Sequence, residues 1–216
     1  NVADTMTIAE LLIEAKIPLI DADLLLADTL RQTREYLLAH SEEKISWTQK
    51  ILFSYLLKRR AKGIPVAYLT GHKEFYGLDF FVNRHTLIPR PETELMVELV
   101  TERLTAHSSQ LPAFMIDVGT GTGCIPISII HALTKKKLSA IKIFATDISR
   151  QALRIAKKNA KHHQADIQFL HGNLLEPILK GHLSSITYPL SSLVITANLP
   201  YLTQSQFSSE PSIQHE

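Results

Sequence analysis

The sequence predicts an α/β protein in which a small helical bundle precedes a parallel β-sheet. Three observations support this prediction. Apolar residues recur at three-and-four spacing between about Thr7 and Lys62, a pattern typical of amphipathic helices. Beyond Leu111, short apolar segments alternate with helical patterns, as they do in strand–helix–strand units. The length of 216 residues, at about 150 residues per domain, allows one or two domains.

The composition is that of an ordinary globular protein. Hydrophobic residues make up 45% and charged residues 20%, which excludes collagen-like, disordered and low-complexity chains. No apolar run approaches the roughly 20 residues that cross a bilayer, so we expect no membrane association and a cytoplasmic location. The single cysteine, Cys124, cannot form an intrachain disulfide. A net charge of +2 gives no argument for a nucleic-acid partner.

Residues 1–66 are predicted to form the helical domain. Pro18 and the polar segment 41–46 interrupt the apolar pattern, so several helices are expected, with Trp47 in their core. The period then changes, and residues 67–88 are predicted to form a β-hairpin that links two domains. Its expected strands, 73–76 and 78–82, are rich in Phe, Tyr and Val.

Residues 89–216 are predicted to form the sheet domain. Pro91 is typical of the first position of a helix. The strands that follow are expected at 114–118, 141–146, 167–170 and 193–197, with helices at 125–133 and 150–163. Strands that alternate with helices in this way favour a parallel sheet.

A glycine-rich turn follows the first strand of that sheet. Gly119, Gly121 and Gly123 allow the backbone to approach a ligand closely, and the helix that follows offers unpaired N–H groups. Asp117 precedes the turn, and Asp147 ends the next strand, where a carboxylate can accept the hydroxyls of a ribose. The spacing differs from the G-x-G-x-x-G of dinucleotide sites. It suits a nucleoside without pyrophosphate, such as S-adenosylmethionine (SAM), although a tight turn without a ligand would also explain the glycines.

The fourth strand is followed by Asn198-Leu-Pro-Tyr201, at the edge of the sheet where ligands bind in open α/β folds. An Asn oxygen and the next backbone carbonyl can accept the two N–H bonds of an –NH2 group, and an aromatic ring can stack on its plane. These residues therefore suit methyl transfer to a planar nitrogen. Without the glycine turn, a strand exit that uses Pro as a breaker would be the simpler interpretation.

Several sequence strings along nearly the whole chain resemble one family. The most specific is Leu87-Ile-Pro-Arg-Pro-Glu-Thr-Glu94, and it is followed by Asp117-Val-Gly-Thr-Gly-Thr-Gly123, Ala145-Thr-Asp147 and Asn198-Leu-Pro-Tyr201. In this order they resemble the protein-(glutamine-N5) methyltransferases of peptide chain release factors, the HemK or PrmC family.

The resemblance implies a Rossmann-like SAM-dependent methyltransferase sheet. It implies a SAM-dependent protein-glutamine N5-methyltransferase that modifies the glutamine of the Gly-Gly-Gln motif in class I release factors and supports translation termination. The helical domain would dock the release factor. SAM and its product S-adenosylhomocysteine (SAH) would contact Gly119, Thr120, Gly121, Thr122, Gly123, Asp147, Asn173, Leu174 and Asn198. The glutamine would be held by the catalytic residues Asn198, Leu199, Pro200 and Tyr201.

Three residues depart from the family pattern. Leu199 stands where the family usually has Pro, and it keeps the backbone carbonyl while losing the fixed φ. Asn173 stands where many members have an acidic residue, and Leu174 replaces an often aromatic neighbour. Neither of the last two changes removes the capacity for adenine contacts.

Two other functions remain open from the sequence. Asn-Leu-Pro-Tyr also suits the exocyclic amine of adenine, as in an N6-adenine methyltransferase of rRNA or DNA, but the lysines are scattered rather than arranged in a track. A non-catalytic SAM-binding fragment is the second alternative. It follows from the expectation that the chain supplies only the first four strands of a seven-stranded sheet of order 3-2-1-4-5-7-6. No metal site is predicted, and Cys124 is expected to pack as a small apolar residue.

Overall fold

The computed structural model describes residues 6–106, 114–136, 141–181 and 193–199. The chain divides into two compact units, with the boundary between Gly71 and His72. The domain bounds 1–66, 67–88 and 89–216 stay a prediction.

The first unit is helical in its described residues, 6–71. Its helices are α1 (Ile8–Glu14), α2 (Leu19–Leu30), α3 (Arg34–Ala39), α4 (Trp47–Arg60) and α5 (Val66–Thr70). The sequence sets two of the starts through capping boxes, Thr7 with Glu10 and Ser46 with Gln49, in which each partner satisfies a free backbone N–H of the other.

The helices of this unit bury a core of their own. Ile8, Leu25, Leu26 and Phe53 are fully buried in it. The placement of Trp47 in this core was wrong, because its side chain is 61% exposed. Trp47 is the first residue of α4, where the start of the helix is fixed by capping rather than by burial.

The second unit begins with a hairpin of β1 (His72–Phe75) and β2 (Leu78–Phe81), paired antiparallel. Tyr76 and Gly77 form its two-residue loop, both with positive φ, as the type I′ turn of a tight hairpin requires. Phe75 and Phe80 lie edge to face in the core of the second unit. The predicted hairpin is therefore present, and its aromatic side chains pack into the core of the second unit.

The parallel sheet consists of β3 (Phe114–Val118), β4 (Lys142–Asp147), β5 (Gln168–His171) and β6 (Leu193–Ala197) in the order β5-β4-β3-β6. In chain order this is third, second, first, fourth, which confirms the predicted fold class and the order of these four strands. All residues of β3 are buried, as expected for a central strand covered on both faces.

Helices cover this sheet and connect its strands. A 3-10 turn (Pro91–Thr93) leads into α6 (Glu94–Ala106), and α7 (Cys124–Lys135), α8 (Arg150–His162) and the short α9 (Glu176–Gly181) follow. Pro91 opens its turn, as predicted, because proline has no N–H to leave unpaired there. Within the part of the chain that the structure describes, no helix is long and apolar enough to cross a membrane.

Candidate functional site

The glycine turn lies between β3 and α7, at the carboxyl edge of the sheet. Gly119, Gly121 and Gly123 have φ values of 70°, 57° and 78°, in the left-handed region that side chains disfavour. The N–H groups of Gly119 and Thr120 both donate to the Thr146 carbonyl, at 2.9 and 3.0 Å. The turn is thus fastened to the end of the neighbouring strand β4 by its own backbone.

Asp147, the last residue of β4, lies at the same turn. Its Oδ2 accepts the Gly121 N–H at 2.9 Å, and its Oδ1 accepts the Ser149 N–H at 2.8 Å. Each carboxylate oxygen can accept a second hydrogen bond. The sequence prediction placed Asp147 beside the glycines, and the structure brings them together. Its role toward a ribose stays a proposal.

Asp117 is fully buried inside β3, beneath the turn. Thr196, its partner in the parallel register of β6, donates a hydroxyl hydrogen bond to Asp117 Oδ1 at 2.7 Å. The pKa of Asp117 is raised to about 6, mainly by burial; the nearby Asp147 also acts to raise it, and the hydroxyls of Thr120 and Thr196 partly offset the rise. Among the described residues, neither Asp117 Oδ2 nor Thr120 Oγ1 has a partner in hydrogen-bond geometry.

These features fit a nucleoside cofactor. A Cβ built on Gly121 would meet nothing closer than 4.0 Å, so the backbone there is open to close approach. Asp147 keeps acceptor capacity beside it, and Asp117 holds an unpartnered carboxylate oxygen below it. Of the sequence-predicted contacts, Thr120 and Thr122 lie in the turn with buried side chains.

Asn198 follows β6 and is held by a residue distant in sequence. Its Nδ2 donates to Thr93 Oγ1 at 3.1 Å. Because the amide nitrogen is used in this way, the side-chain oxygen is the atom that can accept an N–H from a ligand. Sequence reasoning missed Thr93, although it lies in the string 87–94 that carried the resemblance. The Pro91 start of the 3-10 turn was the available signal that this residue has a fixed position.

Leu199 lies against the glycine turn. A Cβ built on Gly119 would come within 2.7 Å of Leu199 Cδ2. The absence of a side chain at Gly119 therefore makes room for the leucine that stands where the family usually has Pro. Pro200 and Tyr201 lie outside the described residues.

Asn173 and Leu174 follow β5 at the same edge of the sheet. Gly172, just before them, donates its N–H to the Asp147 carbonyl at 3.1 Å, so this loop is fastened beside the acidic residue. Both side chains are exposed, and Leu174 has a positive φ of 45°. The structure thus brings them near Asp147, and contact with an adenine stays a prediction.

Other candidate chemistry is absent from the described residues. No group of three or more His, Cys, Asp or Glu side chains there could hold a metal ion. Burial raises the pKa of the Cys124 thiol to about 12, so the thiolate is disfavoured and the residue packs as a small apolar side chain, as predicted.

Two family models match the chain. Residues 6–71 match the model described as the PrmC N-terminal domain, and residues 92–188 match the methyltransferase small domain.

Curated relatives give the same result. The chain is 38% identical over 155 residues to a protein from Bacillus anthracis named release factor glutamine methyltransferase, covering 72% of this chain and 53% of that protein. A protein of the same name from Moorella thermoacetica is 40% identical over 187 residues, with coverage of 86% and 60%. The chain thus spans somewhat more than half the length of these relatives.

Among solved structures, the chain is similar to the N-terminal domain of human METTL16 in complex with SAH. It is 21% identical, covers 88% of this chain and 68% of its own, and gives a TM-score of 0.45.

Proposed function

The chain belongs to the release factor glutamine methyltransferase family, and on this premise we propose that it transfers a methyl group from SAM to the side-chain amide nitrogen of a glutamine in a peptide chain release factor. The acceptor is the glutamine of the Gly-Gly-Gln motif. The family match supports the reaction, and one contact supports its location. Asn198 is held by Thr93 at the carboxyl edge of the sheet, just after β6, which pairs with the strand that leads into the glycine turn.

The residues of this edge divide into two groups by their chemistry. Gly119–Gly123 and Asp147 form the side that suits the cofactor, with an open backbone at Gly121 and acceptor capacity on the carboxylate. SAM, when bound, supplies an electrophilic methyl group on a sulfonium. Asn198 and the carbonyl of Leu199 form the side that suits an amide –NH2 group, because both offer oxygen acceptors.

Positioning is the main contribution of the protein to this reaction. The nitrogen of an amide is a poor nucleophile, since its lone pair is delocalised into the carbonyl. Holding both N–H groups by Asn198 and Leu199 aims that lone pair, and orientation of this kind can supply up to roughly 7 to 11 kcal/mol. The bond between sulfur and the methyl carbon breaks as the carbon–nitrogen bond forms, and the amide nitrogen then gives one proton to water, so the site requires no strong base.

Incubation with radiolabelled SAM tests the proposal against the nucleic-acid alternative. We expect label in a release factor when chain and substrate are mixed in equal amounts, and none in rRNA or duplex DNA. Label in nucleic acid alone would contradict the proposal and favour the N6-adenine methyltransferase. A release factor with its Gly-Gly-Gln glutamine changed to asparagine is the matched control and should remain unlabelled.

A further inference from the structure

Asn159 is a fully buried polar side chain on α8 that the proposed reaction does not use. Its Nδ2 donates to the Thr122 carbonyl at 2.9 Å and to the Phe81 carbonyl at 3.0 Å, and its Oδ1 accepts the Phe81 N–H at 2.8 Å. One amide group thus joins three segments that are distant in sequence: the glycine turn, α8 and the hairpin. Both of its N–H donors and its oxygen are used.

On the side of the turn, α8 supports the last glycine. A Cβ built on Gly123 would lie 3.4 Å from Ala156 Cβ, so this small residue lets the turn sit directly on the helix. Asn159 lies one turn further along the same face of α8. Its side chain donates a hydrogen bond to the carbonyl of Thr122, the residue before Gly123. Ala156 and Asn159 together fix how far the turn lies from α8 and the direction in which its backbone enters α7.

On the side of the hairpin, Asn159 makes the backbone hydrogen bonds that a neighbouring strand would otherwise make. It pairs with both the N–H and the C=O of Phe81 on the edge strand β2. An edge strand otherwise presents such groups unpaired. A second bond from the same helix, between a ring nitrogen of His163 and the Asp79 carbonyl at 2.7 Å, keeps β2 along α8.

We propose that Asn159 is a positioning residue that sets the glycine turn for cofactor binding and couples the turn to the hairpin. This role rests on the proposed function for the identity of the ligand and on the three hydrogen bonds for the coupling. Because the Asn159 side chain is bonded to both the turn and β2, a displacement of the turn is transmitted to β2. The hairpin therefore helps to hold the cofactor site in position.

The chemistry of the contact explains why this position holds an asparagine. Two carbonyl acceptors and one N–H donor face the side chain, and an amide of this length offers two donors and one acceptor in one plane. Aspartate would place a carboxylate oxygen against two carbonyls. Leucine has the same branched shape with larger terminal groups and makes none of the three bonds.

Amide hydrogen exchange without ligand tests the positioning role. Asn159→Leu is compared with Leu133→Ala, which removes buried volume from the same core near the opposite end of α7. We expect the amides of Gly121, Gly123 and Phe81 to exchange at least tenfold faster in Asn159→Leu than in Leu133→Ala, measured at equal distance below each melting temperature. Equal exchange of these amides in the two variants would overturn the proposal.

The coupling is tested in the unchanged chain, so this arm does not depend on the folding of a variant. Added SAH should slow exchange of the Phe81 amide at least threefold, together with the amides of the turn. Protection of the turn with no change at Phe81 would overturn the coupling. If SAH binds nowhere on the chain, the cofactor proposal fails, whereas the ligand-free comparison still decides whether Asn159 positions the turn.

Discussion

At the scale of single residues, Asn198 carries the proposed recognition of the glutamine amide. Asn198→Ala removes the acceptor oxygen and the bond to Thr93, so we expect methyl transfer to fall at least about 100-fold, the size of a small misplacement at a reacting centre. The dissociation constant for SAH should change little. Mass spectrometry of the release factor and calorimetry with SAH measure the two quantities, and near-normal transfer would contradict the assignment.

Thr93 gives a second prediction at this scale, because its hydroxyl oxygen accepts the hydrogen bond from Asn198. Thr93→Ala should lower kcat with little change in SAH affinity, whereas Thr93→Ser keeps the hydroxyl and should restore most of the rate. Initial-rate kinetics with a release factor separate the two variants. If both lose the same activity, the hydrogen bond to Asn198 is not what Thr93 contributes.

Asp147 should act on the cofactor side instead. Asp147→Ala removes a carboxylate that also holds the Gly121 N–H, so SAH binding is expected to weaken about 10- to 100-fold. Ser149→Ala is the control, since it removes the cap of α8 at a cost of about 1 kcal/mol and leaves the Asp147 carboxylate in place. Calorimetry should show weak binding in the first variant alone.

Asp117 predicts how stability depends on pH. Its pKa is raised in the folded protein to about 6 from the ordinary value of 3.8, so between these pH values the folded state binds more protons than the unfolded state. The protein therefore loses stability as the pH rises through this range. The loss is on the order of 3 kcal/mol. In Asp117→Asn, the free energy of unfolding should fall less steeply between pH 4 and pH 6, as measured by urea unfolding. If it falls as steeply as in the unchanged chain, groups other than Asp117 cause the pH dependence.

At the scale of elements, substitutions at two glycines test how tightly the glycine turn packs against its surroundings. Gly77 and Gly123 share a positive φ, but a Cβ at Gly77 meets nothing within 4 Å, whereas one at Gly123 meets Ile127 Cδ1 at 3.2 Å. Gly77→Ala should cost about 1 to 2 kcal/mol from the backbone alone. Gly123→Ala should cost about 1 kcal/mol more, because it also crowds the core. Equal losses of unfolding free energy in the two variants, measured by denaturant unfolding, would show that the core around Gly123 relaxes to accommodate the added methyl group.

The elements also show which parts of the fold could be predicted from the sequence. Periodicity predicted the N-terminal helical region, the hairpin, helices α7 and α8 and the four strands of the parallel sheet, because these patterns have local causes. The short helix α9 was not predicted. Contacts between distant segments have no local cause. The bonds from Asn198 to Thr93 and from Asn159 to Phe81 join residues 105 and 78 positions apart. Trp47 was misplaced because it opens α4, where capping rather than burial fixes the start of the helix, and an apolar pattern does not show this.

At the scale of the whole molecule, the two units have separate cores. The core residues of the first unit all precede Gly71, and those of the second all follow it. Leu26→Ala should therefore destabilise the helical unit by about 2 to 5 kcal/mol and leave SAH affinity unchanged at temperatures where the second unit is folded. Thermal unfolding and calorimetry check both parts. Weaker SAH binding in this variant would contradict the prediction.

The proposed reaction is methylation of a release-factor glutamine at the edge of the sheet where Asn198 lies. Tandem mass spectrometry of a release factor incubated with SAM and stoichiometric chain tests it most directly. We predict one added methyl group, on the side-chain nitrogen of the Gly-Gly-Gln glutamine, and none with the Asn198→Ala variant. A methyl group on another residue, or equal methylation by that variant, would contradict the account.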